Sequence, residues 1–470
     1  MKNKDLRRLG LPDGECTAAA RRILEASKGT GRDMRDVGAD LARVAASPAA
    51  FADHAQYGEL ARLLAARVSA QAGFAPREGS APCRIYGDDL EPGALQQMSN
   101  ACRLPVAVAG ALMPDAHQGY GLPIGGVLAT DAAVIPYAVG VDIACRMKMT
   151  VLDLPVSALV ASQHELTRAI EQETRFGVGA EFRERREHSV MDRDWNVTMV
   201  TQRCRDKAWA QLGTSGSGNH FVEFGVLEVF EPVDGLPSGE YLALLSHSGS
   251  RGTGAAVAQH YSNVARERHP ELPQDLSHLA WLDLASEAGA EYWAAMELMG
   301  AYAAANHELI HRHVARALGA AVRLDVENHH NFAWRERHIL ADGTERDVIV
   351  HRKGATPAGL GVLGIIPGSM AAPGYLVRGK GDEASLRSAS HGAGRRMSRT
   401  RAKQEFTWAD TRRVLDERGV TLLSAGIDEA PMAYKDIDSV MAAQQALVET
   451  IARFQPRLVK MAPAGEAPED

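Results

Sequence analysis

The stretch Gly140-Val-Asp-Ile-Ala-Cys-Arg-Met147 decides how the rest of the chain is read. It sets a carboxylate, Asp142, and a thiol, Cys145, three residues apart, just after the apolar, strand-like run Ala132-Ala-Val-Ile-Pro-Tyr-Ala-Val139. That offset lets both side chains converge from one tight turn. Thiolate and carboxylate are both metal ligands, and together they suit a borderline-soft divalent ion. Alone the pair is common, and a buried cysteine usually serves as a small hydrophobe. The weight comes from histidine-bearing turns further along the chain.

The first follows Leu212-Gly-Thr-Ser-Gly-Ser-Gly-Asn-His-Phe-Val-Glu223, a glycine-rich loop running into a strand, with His220 and Glu223 at the junction. Such a loop can present N–H groups to phosphate, although it matches neither the dinucleotide fingerprint nor a P-loop. The second is Ser246-His-Ser-Gly-Ser-Arg-Gly252, at the end of the strand Tyr241-Leu-Ala-Leu-Leu245. The third is Leu324-Asp-Val-Glu-Asn-His-His-Asn-Phe-Ala-Trp334, where His329 and His330 close another strand. Asp142, Cys145, His220, His247 and one of His329/His330 make one carboxylate, one thiolate and three imidazoles. That mix fits manganese, zinc or iron at one or two positions, with the sulfur free to bridge. Spacing alone is equally compatible with unrelated residues far apart in space.

Around these turns, Met113-Pro-Asp-Ala-His-Gln-Gly-Tyr-Gly-Leu-Pro-Ile-Gly-Gly-Val127 reads as a fixed loop walling a site, because its glycines and prolines allow close backbone approach. Residues 155–210 read as helices with a charged, solvated face at Glu181-Phe-Arg-Glu-Arg-Arg-Glu187. Residues 278–318 read as two Ala-rich packing helices, with His307, His311 and His313 as core or surface residues. Val348-Ile-Val-His-Arg-Lys-Gly-Ala-Thr-Pro357 is a basic loop and Gly364-Ile-Ile-Pro-Gly-Ser-Met370 a further glycine-rich turn. The densest positive stretch, Arg378 to Lys403, encloses Ser388-Ala-Ser-His-Gly-Ala-Gly-Arg395, where a guanidinium can grip phosphate beside a lightly shielded His391.

The chain has 470 residues, 45% hydrophobic and 24% charged, with a formal net charge of −7. It can bury a large core, and its overall charge exerts no general pull on nucleic acid, so any such partner needs a local basic patch. Five cysteines without regular spacing argue for a reducing, cytoplasmic setting. No apolar run approaches the roughly 18–20 residues of a membrane span, and the start lacks a signal-peptide core. Residues 1–82 read as a helical extension ending in the Gly/Pro/Ser connector 73–82. Residues 83–461 read as the catalytic domain and 462–470 as a disordered tail.

The strings Pro-Asp-Ala-His-Gln-Gly-Tyr-Gly-Leu-Pro-Ile-Gly-Gly-Val, Gly-Val-Asp-Ile-Ala-Cys, Gly-Ser-Gly-Asn-His-Phe-Val-Glu, His-Ser-Gly-Ser-Arg-Gly, His-His-Asn, Val-His-Arg-Lys-Gly-Ala-Thr, Pro-Gly-Ser-Met, His-Gly-Ala-Gly-Arg and Glu-Ala-Pro-Met-Ala-Tyr-Lys-Asp resemble those of the RtcB family of RNA ligases. They fall in the family's order across roughly residues 84–461. The resemblance implies an α+β fold, with central β-sheets and flanking helices. It implies a GTP- and manganese-dependent ligase, using one or two Mn2+ ions, that joins an RNA 3′-phosphate or 2′,3′-cyclic phosphate to a 5′-hydroxyl, in RNA repair or tRNA splicing. By the family pattern the metal ligands are Asp142, Cys145, His220, His247 and His330, the last chosen because it directly precedes Asn331. His391 is the nucleophile that takes GMP. Asn219, Glu223, Ser369, Tyr434 and Lys460 fall at nucleotide contacts, and Arg352 and Arg395 at phosphate or RNA contacts. An archease-like activator is an implied partner. This chain departs from the pattern at Arg146, where the family has Gly, and at Ser215, Ala371 and Gly374. A phosphoesterase acting on RNA ends without joining them, or a non-catalytic RNA-binding relative, are the competing expectations; an intact His391 and five metal-ligand types weigh against them.

Overall fold

The structure, a computed structural model, describes residues 1, 3–12, 15–29, 32–72 and 75–466. Gly73 and Phe74 of the expected connector, and 467–470 of the expected tail, lie outside the described residues. The chain divides into two compact units, one formed by residues 1–76 with 263–280 and the other by 77–262 with 281–470.

The smaller unit is built on helices, among them Glu15–Lys28, Met34–Ala46 and Gly58–Ala72. Apolar residues at three- and four-residue spacing give each a buried stripe, and Ile23, Leu24, Val37, Leu41, Leu60 and Leu64 meet in one core. Inside it, Asp40 accepts from Tyr57 Oη (2.9 Å) and from Arg32 (2.7 Å), so its buried charge is satisfied.

The larger unit carries two main sheets, and with its separate helices it has the α+β class expected from sequence. One sheet has five strands in the order Cys83–Ile85, Ala107–Tyr120, Leu122–Thr130, Glu345–Lys353, Asn331–Ile339. Only its first pair is parallel. The other has eight strands. Its path runs Leu363–Ile366, Gly374–Gly379, Val448–Met461, Phe221–Val229, Gly239–Ser248, Arg146–Leu152, Val322–His329, and Thr421–Ser424 adds in parallel beside Val448–Met461. Strands from distant parts of the chain thus lie side by side, and their ends meet.

Three local expectations are corrected. Residues 113–127 form the distal half of a strand hairpin rather than a loop. The glycines and prolines instead mark an irregular pairing, with the register slipping between Leu112 and His117. Residues 278–318 contain one 31-residue helix, Glu287–Ala317, not two. Ser286 caps it by accepting from Gly289 N (3.2 Å), no proline interrupts it, and Gly300 is where it passes close to the Phe332 ring. The charged run 181–187 has no helix, and Arg186 within it is buried. Its guanidinium lies 3.7 Å from the Phe182 ring centre and donates to the Gly213 carbonyl and to Glu173. Among the described residues no helix is long and apolar enough to cross a membrane.

Candidate active site

The eight-stranded sheet brings the candidate ligands together by register. His247 pairs across with Phe221 on one side and Met147 on the other, while Arg146 pairs with His329. Residues just before or at these strand ends, namely Cys145, His220, His247 and His330, therefore fall in one place. The turn Asp142–Cys145 is closed by Cys145 N donating to the Asp142 carbonyl (3.2 Å), with Ala144 held at φ 58°. It is stitched to the third histidine turn by Ala144 N to the Asn331 carbonyl (2.7 Å) and His330 N to the Cys145 carbonyl (3.0 Å).

All five predicted metal ligands are buried and fall into two trios, Asp142/Cys145/His220 and Cys145/His247/His330, whose ligand atoms lie within 4.8 Å of one another in each. Cys145 belongs to both. His247 Nε2 is 3.1 Å from Cys145 Sγ and 3.2 Å from His330 Nε2. His220 Nε2 is 3.4 Å from that sulfur and 3.2 Å from Asp142 Oδ2. The ring orientation is set from behind. His247 Nδ1 meets the Asn219 carbonyl and His220 Nδ1 the Ser215 carbonyl, each at 3.1 Å. A carbonyl only accepts, so the His247 contact assigns its hydrogen to Nδ1 and leaves the lone pair on Nε2, while His220 Nδ1 lies between the carbonyl and the Arg251 guanidinium (3.2 Å). Asp142 is held likewise: its Oδ1 accepts from Ser250 N (2.9 Å), and its Oδ2 faces His220 Nε2. A Cβ at residue 249 would overlap that carboxylate, which explains Gly249. One carboxylate, one sulfur and three imidazoles converging in a buried place fit a divalent transition metal.

Charge follows the same logic. Burial opposes ionisation of Asp142, yet His220, Arg251 and Cys145 hold its carboxyl at about 2. Burial, then the neighbouring His220, push His247 down to about 3, and burial first drives His330 well below the ordinary imidazole range. Neutral imidazole is the ligand form.

The glycine-rich loop 212–219 supports the metal ligands through its main chain. Its Ser215 carbonyl accepts from His220 and from the buried Arg251 guanidinium, which fills the space over Gly216. At Arg146, where this chain departs from the family pattern, the guanidinium pairs with Glu327 (3.2 Å) across the neighbouring strand.

Asp142, Cys145, His247 and His330 line a cavity of ≈ 730 Å³. His391 lines it, its ring centre 5.0 Å from that of His330. The fully buried Asp115 orients it: one carboxylate oxygen, Oδ2, accepts from His391 Nδ1 (2.7 Å), His391 N (3.1 Å) and Gly392 N (3.3 Å). Nε2 is left as the exposed lone pair. Sequence reading marked the stretch around Asp115 but not this partnership. Asn219, Glu223, Ser369, Tyr434 and Arg395 also line the cavity. Burial raises the Glu223 carboxyl well above the usual range.

Two predicted residues lie elsewhere. Lys460 alternates with Val459 and Met461, which line the cavity, and its ammonium sits 5.6 Å from the Phe176 ring on the other side of the strand. Arg352 is buried off the cavity wall, bound to Glu336 (2.7 and 3.0 Å) and Ser388 Oγ (2.8 Å). The neighbouring Lys353, singled out only as part of a basic loop, does line the cavity, and burial lowers its amine to about 7. The dense positive stretch is largely neutralised within the fold: Arg395 and Arg399 meet Glu429, Arg387 meets Glu383, and Arg401 meets Glu405.

A family model described as tRNA-splicing ligase RtcB matches residues 97–461. The RNA-splicing ligase RtcB of Escherichia coli K12 is 34% identical over 404 residues, covering 79% of this chain and 95% of the relative. That of Mycobacterium tuberculosis is 34% identical over 428 residues, covering 77% and 98%. The tRNA-splicing ligase RtcB of Methanococcus maripaludis is 30% identical over 435 residues, covering 76% and 90%.

Proposed function

The chain belongs to the tRNA-splicing ligase RtcB family, and from that membership we propose that it seals RNA 3′-phosphate ends to 5′-hydroxyl ends, using GTP and manganese. The observation that carries the proposal is His391, aimed by Asp115 into the same cavity that the shared Cys145 sulfur floors. A divalent ion held by Asp142, Cys145, His220, His247 and His330 would supply Lewis acidity and neutralise phosphate charge.

The chain's own groups do the rest. His391 Nε2 attacks the α-phosphorus of GTP and pyrophosphate leaves, while Asp115 keeps the proton on Nδ1 and stabilises the imidazolium character that develops. An oxygen of the RNA 3′-phosphate then displaces the imidazole, giving an RNA end capped through a diphosphate to guanosine. The 5′-hydroxyl attacks the RNA phosphorus and GMP departs. A cyclic phosphate must first be opened by water to the 3′-phosphate. To Asn219, Glu223, Ser369 and Tyr434, which line the cavity, we assign the nucleotide, and to Arg395, already tied to Glu429, a phosphate edge. We extend the proposal to an archease-like activator as partner and, given five free cysteines, to the cytoplasm as compartment.

The test is incubation with GTP labelled at the α-phosphate, then recovery of acid-labile label on the protein. Wild type is labelled and His391→Ala is not. Label persisting in the variant removes His391 from this role, and cleavage of RNA ends without label or joining supports the phosphoesterase reading.

A further inference from the structure

One part of the cavity wall has no role in the reading above. At its rim stands Tyr120, the last residue of the strand Ala107–Tyr120, 68% exposed among neighbours that are mostly covered. A large ring so open to water contributes nothing to the core. The main chain beneath it is nevertheless held hard. The Gln97 amide takes both polar groups of Gly119, accepting from its N (3.0 Å) and donating to its carbonyl (2.6 Å). Glu91 Oε2 accepts from Gln118 N (3.0 Å), and Lys353 Nζ donates to the Tyr120 carbonyl (2.6 Å). Gly121, at φ 69°, turns the chain immediately afterwards. Three side chains thus clamp three consecutive residues, and the result is an exposed aromatic on a rigid post.

That post stands near the chemistry. Lys353 is followed by Gly354, which passes so close to the nucleophile that a Cβ there would lie 3.2 Å from His391 Cε1. The Lys353 ammonium is also 5.0 Å from the centre of the Tyr137 ring, another residue of the cavity wall. The cavity floor offers charge and lone pairs for phosphate. A nucleobase needs a flat apolar face instead, and single-stranded RNA is gripped by stacking of splayed bases on aromatic rings.

We propose that Tyr120 is the stacking platform for the nucleobase at the RNA end being joined, an assignment that rests on the ligase reading above. Stacking is tolerant of base identity, because every base has a π-face, which suits an enzyme that joins ends of differing sequence. A clamped backbone adds to affinity by lowering the ordering cost on binding.

The experiment compares wild type, Tyr120→Phe and Tyr120→Ala on two sets of RNA ends, one natural and one carrying an abasic nucleoside at the terminal position of either strand. Label on His391 counts active enzyme in each preparation. With natural ends, Tyr120→Ala raises KM for RNA roughly tenfold, within the range of about 5–150-fold that loss of one stack implies. Its kcat stays close to wild type, and Tyr120→Phe keeps the wild-type KM. With the abasic end in the strand that stacks, wild type loses the same factor and the difference between it and Tyr120→Ala vanishes. A KM for Tyr120→Ala within twofold of wild type overturns the proposal. So does an equal Tyr120→Ala defect on natural and on both abasic ends. If wild type neither takes label nor joins ends, the ligase reading itself has failed and the platform with it.

Discussion

Asp115→Asn is the sharpest perturbation of the site. A single carboxylate oxygen accepts three hydrogens, from His391 Nδ1, His391 N and Gly392 N, while the other oxygen, Oδ1, is buried without a partner. The two main-chain donors dictate how an asparagine would sit: its carbonyl oxygen must take the Oδ2 position, which places its amide where Oδ1 was. The imidazole therefore keeps its hydrogen on Nδ1 and its lone pair on Nε2. What is lost is charge, not tautomer. A hydrogen bond to a charged partner is worth roughly 1.5–3 kcal/mol against roughly 0.5–1.5 for a neutral one, so about 1–1.5 kcal/mol is lost and guanylylation slows by roughly 5–13-fold, far short of the ~10⁴-fold seen when a catalytic imidazole is turned into the wrong tautomer. Single-turnover transfer of label from GTP to His391 measures it, with GTP affinity unchanged because Asp115 is fully buried behind His391 and does not line the cavity. A rate within threefold of wild type, or a loss confined to GTP affinity, would refute Asp115 as the group that supports the nucleophile.

Cys145→Ala removes the one ligand common to both trios, so the divalent-ion content of the purified protein falls further than in Asp142→Ala or His330→Ala, each of which touches one trio; elemental analysis showing equal stoichiometry in all three would count against a shared sulfur. Gly249→Ala drives a methyl group into the Asp142 carboxylate at a position with no unusual φ, so metal content drops while the melting temperature changes little; unchanged metal content would mean that the carboxylate moves freely. His351, wholly buried, accepts from Ile135 N (2.9 Å) and donates to the Leu128 carbonyl (3.1 Å), and burial holds it at about 4. Its folded value lies below the unfolded ~6.5, so the unfolded chain binds the extra proton and stability is lost as pH falls from about 6.5 towards 4, by ~2 kcal/mol at pH 5. Denaturant unfolding shows the wild-type midpoint falling over that window and a flatter profile for His351→Gln; parallel profiles would exclude His351.

The ligand types and their turns were readable in the chain because strand ends have local signatures: a strand-like run, then a histidine within two residues of Gly or Asn, as at His247 and His330. The family resemblance turned that set into a site and pointed to His391. Local pattern misled where tertiary packing overrode it. Residues 113–127 carry the glycines of a loop but pair as strands. The Ala-rich segment ending at Ala317 runs as one helix, packed on strands Arg146–Leu152 and Gly239–Ser248 and on the helix Gln163–Glu173. Arg186 sits in a charged run, yet stacks on Phe182 and is buried.

The sequence by itself determined which chemistry the chain carries: a thiolate, carboxylates and imidazoles on turns, reducible to residue type and short-range spacing. Only the tertiary structure decided which of them work together. Asp115 and His391 are 276 positions apart, and nothing in either neighbourhood names the other. Their meeting, the sharing of Cys145, and the carbonyls behind His220 and His247 depend on strand order and register. Those are settled by how whole faces of side chains pack, a property that no window of sequence contains.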